Sequence, residues 1–108
     1  MQATSDTISM RVIVFKDDGQ WVAQCLEHDI GAQGPDVDTL MTRLEVVLDA
    51  ECKASLDKGE EPFKGIDPAP ARFQQMWERR ARSVDMSPAP WMVGAPGKSM
   101  SLGLGLLA

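Results

Sequence analysis

From Met10 to Lys16 the chain reads Met-Arg-Val-Ile-Val-Phe-Lys, and from Gln20 to Leu26 it reads Gln-Trp-Val-Ala-Gln-Cys-Leu. Both runs are rich in β-branched and aromatic residues, and Asp17-Asp18-Gly19 between them supplies turn chemistry, so the pattern predicts a β-hairpin. Glycine suits such a short connection because it adopts positive φ at almost no cost. In the second strand Trp21, Ala23 and Cys25 share one face, which the alternation marks as the core side. In the first strand Val12 and Val14 point one way, Ile13 and Phe15 the other, so both faces are apolar. A single helix covers one face of a sheet, and the second face therefore calls for a later helix or another subunit.

Ile30-Gly-Ala-Gln-Gly34 is short and small, as a closely packed third strand would be. From Val37 the apolar residues recur at Leu40, Met41, Leu44, Val47, Leu48, Cys52 and Leu56, the three-four spacing of an amphipathic helix. Asp36 suits its N-cap, and Lys58 with Gly59 suits its end. Asp67-Pro68 resembles the start of a second helix carrying Ala69, Phe73, Met76, Trp77 and Ala81 on one stripe. The predicted organisation is a flexible arm over 1–9, an α/β unit over 10–59, a linker over 60–67, a helix over 68–83, and a Pro/Gly/Met-rich tail over 84–108. Trp91-Met92-Val93 is the part of that tail suited to a strand or a plug. The fold class is α+β: a small antiparallel sheet of three or more strands in β-β-β-α order, packed on one long helix, with a second helix added. Val12, Ile13, Phe15, Trp21, Leu40, Leu44, Phe73 and Trp77 are its expected core or subunit-contact residues.

At 108 residues the chain fits one small domain, with 16 acidic against 11 basic side chains and a net charge of −5. That balance disfavours direct nucleic-acid binding and does not disfavour a basic protein partner. The acidity is local: residues 1–59 hold 11 acidic and 5 basic groups, the remainder 5 and 6. Cys25 and Cys52 are too few for a disulfide framework or a zinc site, and read as buried thiols of a reducing cytosol. The first nine residues lack the basic and apolar regions of a signal peptide, and no run approaches the roughly 18 apolar residues of a spanning helix, so a cytoplasmic protein is expected.

Asp17, Asp18, Glu27, Asp29, Asp36 and Asp38 are numerous enough to suggest a magnesium site, but they sit where turns and helix caps use carboxylates structurally. His28, flanked by Glu27 and Asp29, could act as a base; a lone loop histidine more often bonds the backbone. Arg72, Arg79, Arg80 and Arg82 beside Trp77 have a nucleic-acid reading and a plainer one, a solvated helix face. The balance of these readings assigns no catalytic residue, metal or cofactor.

The residues Arg11-Val-Ile-Val-Phe15, Asp18-Gly19-Gln20-Trp21-Val22-Ala23 and Ile30-Gly31-Ala32-Gln33-Gly34, followed by a helix with Leu40, Leu44 and Leu48, resemble the HicB-like antitoxin domain. The resemblance covers about half the chain. It implies a reduced ribonuclease-H-like domain without catalysis that binds and neutralises a small basic RNA-cleaving toxin of the HicA type. Two features depart from that family: Cys25-Leu-Glu-His-Asp-Ile-Gly31 replaces its Pro-Asp-Leu-Pro-Gly type segment, and Asp67 to Ala108 reads as one helix and a tail where complete antitoxins usually add a DNA-binding module. The acidic residues Asp17, Asp18, Glu27 and Asp29, with His28 nearby, are the expected partner-binding group, and a homo-oligomer is expected. The alternatives are a structural homo-oligomer and a small metal-dependent hydrolase using Glu27, His28 and Asp29.

Overall fold

The computed structural model of the chain describes residues 6–86 and 98–107. Its elements are β1 (Asp6–Asp17), β2 (Gln20–Cys25), β3 (Gly31–Gly34), α1 (Val37–Asp57), α2 (Ala71–Glu78), β4 (Arg82–Met86) and β5 (Lys98–Leu106). The strands form one five-stranded sheet in the order β3-β2-β1-β5-β4. Neighbours are antiparallel except β1 and β5, which run parallel in the middle of the sheet. The α+β class and the β-β-β-α opening agree with the sequence pattern.

Asp18 at φ 51° and Gly19 at φ 79° turn β1 into β2, the positive pair that a two-residue hairpin connection demands. Register then places Val12 opposite Cys25, Val14 opposite Ala23 and Lys16 opposite Trp21, so the Trp21 side does face the main core. The Asp36 carboxylate caps α1 by accepting the Thr39 N–H at 2.7 Å. That bond holds its pKa below the ordinary carboxylate value. Gly59, at φ 73°, follows the C-cap residue Lys58. Leu40, Leu44, Leu48 and Cys52 form the buried face of α1, in one cluster with Met10, Val12, Met100 and Leu102 of the sheet.

The other face of the sheet is covered within the chain. Ile13, Leu26 and Phe73 form a second cluster, with Phe15, Met76, Trp77 and Leu107 packed against it. Phe15 and Phe73 meet at a ring separation of 6.3 Å. The doubly apolar β1 is thus explained by a helix on each side.

The helix expected over 68–83 is shorter and starts later, at Ala71 after the N-cap residue Pro70. Prolines 68 and 70 keep the residues before them extended. That extended run is tied to the β2–β3 loop, with the Asp29 N–H donating to the Asp67 carbonyl at 2.7 Å and the Ala69 N–H to the Leu26 carbonyl at 3.0 Å. The linker expected over 60–67 supplies a core residue, since Phe63 is fully buried. The first strand starts at Asp6 rather than Met10, because β5 provides a ladder partner for that end: Asp6 pairs with Lys98.

The tail expected over 84–108 departs furthest from the pattern. Met100, Leu102, Leu104 and Leu106 alternate with Ser99, Ser101, Gly103 and Gly105, a period-two strand whose apolar face joins the main core. Gly105 has a reason: a Cβ there would stand 2.6 Å from Trp77 Cζ3 and 2.8 Å from Arg80 Cδ. Trp91-Met92-Val93 lies outside the described residues.

Gly105→Ala is therefore expected to push the Trp77 ring off the sheet and to cost about 1–3 kcal/mol, the usual range for overpacking. Urea unfolding checks this, and a wild-type midpoint would mean that the ring yields freely.

Candidate functional site

The expected partner-binding residues fall into two groups. Asp17 and Asp18 are exposed at the β1–β2 turn, while Glu27, His28 and Asp29 follow the other end of β2. The six residues of β2 lie between them, which at strand rise is about 20 Å.

Each member of the second group has a structural partner. The Glu27 carboxylate accepts the Arg11 backbone N–H at 2.7 Å and the Arg11 Nε–H at 2.6 Å. His28 Nδ1 lies 2.9 Å from the Ile66 carbonyl. A carbonyl only accepts, so this nitrogen carries the proton. The imidazole also packs 5.5 Å from the Phe63 ring. Asp29 accepts from Gln24 Nε2 at 2.9 Å. These bonds fasten the β2–β3 loop to β1 and to the connection between the helices. The two carboxylates flanking His28 are thus engaged by Arg11 and Gln24, and neither makes a hydrogen bond to the imidazole among the described residues.

Asp36 and Asp38 stand at the start of α1, apart from both groups. Among the described residues no three His, Cys, Asp or Glu side chains converge in a metal-binding arrangement. Cys25 and Cys52 are both buried. Burial, reinforced by the nearby Glu27 charge, pushes the Cys25 thiol up to about 12, which keeps it protonated and a poor nucleophile.

Asp17 also belongs to a groove of about 480 Å³ on the α2 side. Its floor is Phe15 and Val22, one wall is Phe73 and Met76 of α2, and Leu107 closes an end. Lys16, Asp17, Gln33 and Arg72 form a rim of mixed charge. Arg72 lies 4.4 Å over the Phe73 ring, leaving its exposed guanidinium beside the opening. An apolar floor with charged groups at its mouth suits the docking of a side chain or peptide segment from another protein. Sequence reasoning missed this groove because it joins β1, β2 and α2, although the apolar odd-numbered positions Ile13 and Phe15 were the available signal.

The arginines near Trp77 are partly committed to packing. Arg80 sits 4.3 Å over the indole, donates from Nη1 to the Trp77 carbonyl at 2.9 Å and from Nε to Ser83 Oγ at 2.7 Å. Arg11 approaches the same indole at 5.7 Å. Among the described residues no helix is long and apolar enough to cross a membrane. Compared with known proteins, the chain matches no protein-family model, no curated protein and no solved structure.

Proposed function

We propose that this chain is a non-catalytic protein-binding module of the HicB-like kind, whose partner is a small basic RNA-cleaving toxin. The observation that carries the reading is the groove beside the hairpin, with apolar Phe15, Val22, Phe73 and Met76 inside, Asp17 on its rim alongside Lys16 and Arg72, and the exposed carboxylate of Asp18 in the adjoining turn. The acidic hairpin draws a basic partner towards the groove, and the apolar floor holds an inserted side chain once the partner has arrived. Glu27, His28 and Asp29, the cluster with an acid-base reading, are engaged in holding a loop, which favours binding over hydrolysis. Asp17 and Asp18 are the partner-facing pair; Glu27 and Asp29 support the scaffold.

The test is calorimetric titration with a basic RNA-cleaving toxin encoded beside this chain. Binding is expected at low salt and is expected to weaken as salt screens the hairpin charges. Asp17→Asn with Asp18→Asn keeps the turn chemistry and is expected to weaken binding about tenfold, mainly through slower association. Absence of heat at low salt, or affinity indifferent to both substitutions, contradicts the reading.

A further inference from the structure

Among the described residues, the outer edge of β4 is the least protected feature of the sheet. β4 ends the strand order, and among the described residues no strand pairs with its far side and no side chain bonds its backbone. The opposite edge, β3, is guarded: it spans four residues, two of them glycine, and Arg43 Nη1 donates to the Gln33 carbonyl at 2.9 Å. A bare edge strand is a template for another strand.

We propose that two copies of this chain associate by pairing β4 with β4, antiparallel, about a two-fold axis at Val84. The occupant follows from register. In a symmetric antiparallel pair, opposed residues lie on the same face, so the axis passes between two copies of one residue. Centring it on Asp85 would set like charges against each other, and centring it on Ser83 would leave a shorter overlap. Centring on Val84 uses the whole strand, sets Val84 against its own copy, and opposes Ser83 to Asp85 of the second copy, with roughly four to six backbone hydrogen bonds.

Side-chain chemistry on both faces fits that register. Val84 is 46% exposed, an unusual position for a valine in a strand. It pairs with Leu104, which with Val14, Trp21, Met41 and Arg82 lines a largely apolar groove of about 420 Å³. The symmetric contact covers both copies of Val84 and brings the second copy to the rim of that groove. On the opposite face Asp85 has no hydrogen-bond or ion-pair partner among the described residues, whereas Ser83 is held by exposed Arg80 at 2.7 Å. The pairing sets each Asp85 beside the other copy's Ser83, within the field of Arg80, so a carboxylate meets a cation twice per dimer. This surface is distinct from the groove at the β1–β2 hairpin, and the inference stands apart from the identity of the toxin partner.

Sedimentation of the full chain over a wide concentration range tests it. A reversible species of twice 11.8 kDa is expected. Asp85→Lys should weaken it about tenfold, and adding Arg80→Glu to that variant should restore most of the loss, a rescue that only an opposed charge pair gives. Val84→Cys should cross-link into a covalent dimer on oxidation, since opposed strand positions meet disulfide geometry and the two native thiols are buried. Val46→Cys, exposed on α1, should not cross-link. A chain that stays monomeric at every concentration overturns the proposal, as does a dimer that survives Asp85→Lys unchanged. A monomeric Val84→Cys variant whose introduced thiol resists a thiol reagent also overturns it and assigns the cover of Val84 to the chain itself.

Discussion

A chain ending at Ala81 is expected to lose its cooperative fold. Such a truncation removes β4 and β5, and β5 pairs with β1 along its nine residues in the middle of the sheet. Met100 and Leu102 are fully buried and Leu104 nearly so, all in the cluster under α1. At about 1.5–3 kcal/mol for each buried side chain, the three together contribute about 5–9 kcal/mol. The net stability of a domain is about 5–15 kcal/mol, so the remainder has little margin. Trp77 would also lose the glycine surface against which it packs. Circular dichroism should show no sigmoidal melting transition, and the amide spectrum should collapse to narrow dispersion. A truncated chain that melts like the full one would mean that the residues up to Ala81 fold without β4 and β5.

The largest single-residue effect is expected at Phe63. Its ring is wholly buried in the main cluster although it lies in the connection after α1. Its backbone sits at φ 66°, a region that costs a residue with a Cβ about 1–2 kcal/mol. Two local bonds fix it there: the Phe63 N–H donates to Ser55 Oγ at 3.0 Å, and that hydroxyl donates to the Glu51 carbonyl at 3.1 Å. Phe63→Ala keeps the unfavourable backbone and opens a cavity, so a loss of about 3–5 kcal/mol is expected. Phe63→Gly loses the same ring but relieves the φ cost, so it should be about 1 kcal/mol less damaging than the alanine variant. Urea midpoints at constant slope read both values. Equal losses in the two variants would mean that the left-handed backbone carries no strain.

Local pattern made some of this fold legible and tertiary contact made the rest. The α1 stripe from Leu40 to Leu56 needs only its own spacing to be recognised, and Asp36 and Gly59 mark its ends by their own conformational preferences. The hairpin is equally local. By contrast, β5 is written in Ser, Leu and Gly, a composition that suggests an arm until Trp77 occupies the space its glycines leave. Phe63 resembles a linker residue because the bond that places it comes from Ser55 on the preceding helix.

The candidate site was legible to a similar extent. The acidic residues stood out from charge alone, and periodicity within β2 already separates Asp17 and Asp18 from Glu27 and Asp29 by the length of a strand. Their roles depend on partners distant in sequence: Arg11 for Glu27, Ile66 for His28, and Arg72 with Phe73 for the groove at Asp17. No spacing rule encodes those encounters.

The central claim, that this chain binds and silences a basic ribonuclease, is tested most directly by an RNA cleavage assay. A purified basic RNA-cleaving toxin of the HicA type is mixed with increasing amounts of the full chain, with the paired Asp17→Asn and Asp18→Asn variant run alongside. Cleavage is predicted to fall to background as the chain reaches the toxin's concentration, and the variant is predicted to require about tenfold more. Undiminished cleavage at a large excess of the native chain would contradict the claim.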